Sequence, residues 1–180
     1  MAVTPPQVGP GSPRAGFARW RVPLGFAAGA LVIALARPSL RSLAVGLPIA
    51  AAGQLLRIWA AGHLEKSREV TSSGPYRLTR HPLYLGSVLM GVGLAVAARH
   101  WLVASLIVTY FAATLWTAIR TEEAYLRATF GVAYDHYAGG SSASVSRRFS
   151  IGRAWRNKEY RAAIGLAALA AYLFWRALHR

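Results

Sequence analysis

Apolar positions in this chain neither alternate nor recur on one face of a turn. They run on, filling residues 22–36, 43–61, 83–98, 101–119 and 162–178 almost without interruption. A hydrocarbon core about 30 Å thick is crossed by about 20 helical residues. Inside it, only helices and closed barrels satisfy every backbone N–H and C=O. The runs therefore predict an all-α polytopic membrane bundle of about five transmembrane helices. Only Arg99 and His100 separate the third run from the fourth, which predicts a tight antiparallel hairpin. Residues 1–21 are rich in Pro and Gly and show no hydrophobic period, the pattern of a flexible tail. Residues 22–180 read as a single membrane domain. The first run, preceded by Arg19 and Arg21 and ending in Ala34, Leu35 and Ala36, also fits a signal peptide with its cleavage site. A second apolar run follows almost at once, which favours an anchor.

Composition supports the membrane reading and directs the charges. Of 180 residues 54% are hydrophobic and 15% charged, with 21 Lys+Arg against 6 Asp+Glu and a net charge of +15. Such a charge invites a nucleic-acid reading, but the basic residues flank apolar runs instead of lining a polar face, so nucleic acid is excluded as a partner. With the N-terminus inside, fifteen Lys and Arg residues lie on the cytoplasmic side and five on the other. That is the positive-inside pattern, and it puts residues 62–82 and 120–161 in a cytoplasmic cap, with the lipid bilayer as the chain's principal partner. No cysteine is present, which removes disulfides, thiolate metal sites and cysteine nucleophiles.

All six carboxylates, Glu65, Glu69, Glu122, Glu123, Asp135 and Glu159, fall in those two cytoplasmic segments. The first segment ends in Gly74, Pro75, Tyr76, Arg77, Leu78, Thr79, Arg80, His81 and Pro82. Gly-Pro marks a turn, and Pro82 suits the first turn of the next helix. Arg80 and His81 then sit at a helix N-terminus, where the backbone favours an anion. The bland alternative makes them interface anchors, with Tyr84 at headgroup level. Arg120 to Gly131 predicts a short helix stopped by the glycine. In it Glu123 either makes a solvated pair with Arg127 or serves a ligand, while Phe130, Tyr134 and Tyr137 either pack on the bilayer surface or line a site. The hairpin brings the cationic and acidic motifs to one membrane boundary. A zwitterion suits them, its carboxylate near Arg80 and His81 and its ammonium near the glutamates. Arg57, one turn from Gln54 within the second run, either snorkels to the headgroups or faces a polar partner, such as the carboxylate of an acceptor.

At these residues the sequence resembles the isoprenylcysteine carboxyl methyltransferase and phospholipid methyltransferase-like membrane enzymes. The first motif is Gly74, Tyr76, Arg80, His81, Pro82, Tyr84 and Gly86; the second is Glu122, Glu123, Leu126, Phe130, Gly131, Tyr134 and Tyr137. The resemblance implies S-adenosylmethionine as methyl donor and a lipophilic methyl acceptor, with no metal. It implies that Tyr76, Arg80, His81, Pro82, Tyr84, Gly86, Tyr134 and Tyr137 contact the cofactor and that Glu122 and Glu123 hold its polar end. His63 joins this set as a polar residue ahead of the first motif, against the alternative of a helix-end histidine with no ligand. Arg57 and Glu123 are the catalytic candidates. The stretch Val145, Ser146, Arg147, Arg148, Phe149, Ser150 lacks the proline the family usually carries there. NADPH-dependent sterol-reductase-like enzymes share the Arg-His-Pro-x-Tyr feature and form one competing reading. A non-enzymatic helix bundle forms the other.

Overall fold

Ser39 opens the first long helix with a reciprocal cap: its hydroxyl accepts from the Ser42 amide at 3.2 Å, and the Ser42 hydroxyl accepts from the Ser39 amide at 3.0 Å. Two otherwise orphaned donors are satisfied at once. This helix, α1, runs Leu40–His63. A 3-10 turn at Gly74–Arg77 leads to α2, Pro82–Ala98, then α3, Trp101–Phe130, and α4, Val132–Ala138. Two more follow, α5 at Ile151–Arg156 and α6 at Glu159–Leu178. The computed structural model describes residues 29–30, 33–65, 69–140 and 147–179; the tail and most of the first apolar run fall outside them. Helices α1, α3 and α6 are long and apolar enough to cross a membrane, and α2 is a shorter apolar helix of 17 residues.

α1 and α2 pack antiparallel along a seam of small residues. A Cβ added at Gly46 would lie 2.5 Å from the Ala97 amide nitrogen, one at Gly93 would lie 2.3 Å from that of Ala50, and one at Gly53 would lie 2.6 Å from the Gly86 carbonyl. Backbones this close require small residues on both helices, the usual way helices gain van der Waals contact in lipid. The Ser42 hydroxyl ties the far end, donating to Ala97 O at 3.0 Å. There Leu43, Ala97, Ala98, Val103 and Leu173 form a buried cluster. Elsewhere large apolar side chains face outward, among them Leu55, Val108, Trp116 and Ile164. An apolar exterior of this extent suits lipid and not water. The molecule is a helical membrane bundle.

The hairpin forms as expected, with Arg99 in the left-handed region (φ 49°) ending α2. α3 does not stop near 119, however. It continues unbroken to Phe130, so the expected short helix is the polar end of a membrane helix. Thirty residues span about 45 Å, more than a bilayer core requires, and no glycine or proline interrupts the run between Ile119 and Phe130. The glutamate pair therefore stands on a rigid extension of the hairpin. Opposite it, the end of α1 is closed by the segment after residue 146. Arg153 Nε donates to Gly62 O at 2.8 Å, Asn157 Nδ2 to Ala61 O at 2.9 Å, and the Ser150 amide to Gly62 O at 3.1 Å. These occupy carbonyls that a helix C-terminus leaves free. Glu65 and Glu69 pair with Arg147 at 3.2 and 2.6 Å, completing the cap.

Candidate functional site

The C-terminal ends of α1 and α3 and the N-terminal ends of α2 and α6 meet at one end of the bundle, because successive helices alternate in direction. Pro82, fully buried, starts α2 and leaves His81 as the residue before it. His81 Nε2 lies 3.2 Å from Glu123 Oε1, and Arg80 Nη1 lies 3.5 Å from the same oxygen. The carboxylate can only accept, so the imidazole donates from Nε2. The two motifs, 42 residues apart, thus share one carboxylate. Glu123 does not pair with Arg127, which reaches Asp135 Oδ1 at 3.1 Å on an exposed surface.

Around this contact stand four tyrosines from the two motifs, Tyr76, Tyr84, Tyr134 and Tyr137. Tyr137 donates its hydroxyl to the Tyr76 carbonyl at 2.9 Å, pinning α4 to the 3-10 turn. Tyr84 lies with its ring 5.7 Å from that of His81. Tyr134 is wholly buried, yet its hydroxyl has no hydrogen-bond partner among the described residues. Burial raises the pKa of Tyr134, and Glu123 adds to the rise while Arg80 and Arg127 oppose it. Burial also raises Tyr76, with Glu122 contributing, and pushes Tyr137 up to about 12. Glu122 itself is exposed. Tyr76, Tyr134 and Tyr137 are therefore neutral hydroxyls at ordinary pH.

Three expected residues sit differently. Gly86 faces α1, where a Cβ would lie 2.6 Å from Arg57 Cγ; its smallness serves the helix seam. His63 is buried with Nδ1 3.1 Å from Ser73 Oγ and its ring against Gly74, which adopts φ +60° beneath it. It braces the loop that carries Tyr76. Arg57 neither snorkels nor stands open: Nε and Nη2 donate to the two Glu159 oxygens at 3.0 and 2.8 Å, while Nη1 reaches Ser87 Oγ and Leu83 O. Glu159 and Ser87 were not singled out from the sequence. The available signal was that Glu159 opens the last apolar run on the side where Arg57 ends its own.

Groups of both charges stand together at this end of the bundle. Arg80 and His81 offer cationic and N–H donors, Glu122 and Glu123 offer carboxylates, and the buried Tyr134 hydroxyl is a polar group left for a partner, as buried hydroxyls rarely remain alone. The Tyr134 ring already faces a cation, the Arg127 guanidinium 5.8 Å from its centroid, an attraction that aromatic faces offer. Among the described residues, no group of three or more His, Asp or Glu side chains is placed to hold a metal ion.

Residues 42–133, just over half of the chain, match the family model described as phospholipid methyltransferase. The cobalt-zinc-cadmium resistance protein CzcN of Cupriavidus metallidurans is 31% identical over 121 residues, 62% of this chain and 55% of that protein. The nickel-cobalt-cadmium resistance protein NccN of Alcaligenes xylosoxydans xylosoxydans is 31% identical over 105 residues, 57% of this chain and 47% of its own. The chain thus spans about half the length of these curated relatives. No solved structure gives a significant match.

Proposed function

Because the chain belongs to the phospholipid methyltransferase family, whose members are membrane methyltransferases, we propose that it transfers a methyl group from S-adenosylmethionine to a lipophilic acceptor at the end of the bundle where His81 meets Glu123. The donor supplies a methyl already activated on a sulfonium, so the protein's work is alignment and exclusion of water. Glu122 and Glu123 hold the ammonium of its amino-acid end, Arg80 and His81 its carboxylate. The Tyr134 hydroxyl supplies a further hydrogen bond, and Tyr84 lies close to the sulfonium. Tyr76 and Tyr137 shape the wall through their mutual bond. Pro82 fixes the start of α2 so that His81 stays in place.

The observation that carries this reading is the 3.2 Å contact between His81 and Glu123 beside a buried, partnerless tyrosine. It joins the two family motifs into one site and leaves a polar atom for a ligand. In this proposal residues 22–180 act as one membrane domain with the site on the cytoplasmic side, as the Lys and Arg distribution favours, and the acceptor enters sideways from the lipid.

Ligand-induced stabilisation tests the donor. At a concentration 100 times its Kd, a ligand that binds only the folded state stabilises it by about 2.7 kcal/mol. S-adenosylhomocysteine is expected to raise the melting temperature of the purified full chain, and NADPH to leave it unchanged. The reverse pattern would favour a reductase and end the methyltransferase proposal.

A further inference from the structure

Arg57 lies within the second apolar run, and each of its three guanidinium nitrogens is already engaged. Its principal partner, Glu159, is buried, with a side chain 9% exposed. A bidentate pair of this kind has no net charge, and Arg57 has no face left for a second carboxylate. An acceptor carboxylate brought here would instead meet the Glu159 oxygens and be repelled. The Glu159 carboxylate, by contrast, keeps lone pairs after accepting two bonds. It also lies near the proposed donor site: it is close enough to Tyr76 to help keep that hydroxyl protonated, and Ser87, which binds Arg57, stands one turn from Tyr84 on α2.

A second observation points to a ligand. Gln54, one helical turn from Arg57 on the same face of α1, is 5% exposed, and both its amide nitrogen and its amide oxygen are buried with no hydrogen-bond partner among the described residues. A group that can both donate and accept is thus left unsatisfied on the membrane side of the Arg57–Glu159 pair. Leaving such atoms dry is costly, and a polar acceptor group reaching between Gln54 and Glu159 would satisfy them.

We infer that Glu159, held by Arg57, is the base on the acceptor side of the methyl transfer, and that the acceptor is a protic nucleophile on a lipophilic molecule, an amine, hydroxyl or thiol, and not a carboxylate. This rests on the methyltransferase reading above. The acceptor's lone pair forms the new bond to the methyl carbon. The carbon–sulfur bond breaks, its electron pair stays on sulfur, and the acceptor's proton passes to Glu159. Arg57 is then a positioning residue and Gln54 a hydrogen-bonding partner of the acceptor.

The test uses membranes of cells producing the full chain, incubated with methyl-labelled S-adenosylmethionine, against membranes of the same cells lacking it. Label that depends on the chain is expected in a lipophilic product and is alkali-stable, meaning that mild alkali does not release it as volatile methanol, as it does from carboxyl methyl esters but not from N-methyl, ether or thioether groups. Glu159→Gln is expected to lower that label about 100-fold, the usual scale for loss of a general base, while S-adenosylhomocysteine binding stays within about threefold of the unsubstituted chain. Glu159→Asp, which keeps the charge, is expected to retain binding and more label than Glu159→Gln. Alkali-labile label overturns the inference, as does undiminished label in Glu159→Gln. Loss of S-adenosylhomocysteine binding in both variants overturns it too, by placing Glu159 in the fold or the donor site. An unsubstituted chain that fails to bind S-adenosylhomocysteine instead ends the methyltransferase reading itself.

Discussion

Tyr134 carries a hydroxyl that costs the free protein something and that the proposed donor site explains. Replacing it by phenylalanine removes a buried unsatisfied group, so stability of the free chain is expected to hold or rise slightly, while affinity for S-adenosylhomocysteine falls about 5- to 10-fold, the scale of one hydrogen bond. Calorimetric titration beside a melting curve checks both; unchanged affinity would remove Tyr134 from the site. Tyr137 has a different signature. Its folded pKa of about 12 lies above the ordinary value of 10.0, so between those values the unfolded chain has lost a proton that the folded chain keeps. Its contribution to stability is complete below about pH 10 and is lost as pH rises to about 12. Melting curves from pH 8 to 11 should show the fall, and Tyr137→Phe should reduce it, the remainder belonging to Tyr76 and Tyr134, whose pKa values burial also raises. Arg80, His81, Glu122 and Glu123 were legible in the sequence because each motif is local and the two-residue hairpin turn fixes which ends meet. The partner of Arg57 was not, since Glu159 lies 102 residues away and spacing says nothing of which distant helix is a neighbour. The packing of Gly86 against α1 was hidden for a related reason: a motif glycine looks the same whether it clears space for a ligand or for another backbone.

At the scale of elements, the bundle depends on close approach of α1 and α2 and on closure of the end of α1. Gly93→Leu forces a side chain onto the Ala50 backbone and is expected to destabilise by about 1–3 kcal/mol or more, lowering the melting temperature in detergent with no change of charge. Arg153→Ala strips a donor from Gly62 O and one of the cations around Glu65. It is expected to cost about 1–3 kcal/mol, again read as a lower melting temperature, with a smaller loss for Arg148→Ala. The apolar runs announced these helices because their length against a bilayer is decisive. The end of α3 was harder to place. Polarity changes at Arg120, but polarity alone does not stop a helix; a breaker does, and the first one is Gly131, with φ 50°. The α5 segment that caps α1 gave no signal, because its contacts are to carbonyls, which every sequence has.

Across the whole molecule, alternating helix directions gather every proposed functional group at one end, which the proposed orientation puts in the cytoplasm. The absence of cysteine makes this assignment easy to check. Leu78 at the site end and Trp101 at the far end are both well exposed, at 81% and 73%. A cysteine placed at 101 is expected to react with a membrane-impermeant maleimide added to intact cells, and one at 78 only after permeabilisation; the opposite result inverts the topology. The central claim, a methyl-donor site built where the hairpin joins its two motifs, is tested most directly by equilibrium binding of labelled S-adenosylmethionine to the purified chain. Saturable binding is expected, weakened at least about 10-fold, the worth of about 1.4 kcal/mol, by Glu123→Gln and by His81→Ala, and left intact by Arg41→Ala, exposed at the opposite end of the bundle. Binding that survives both site substitutions unchanged would contradict the claim.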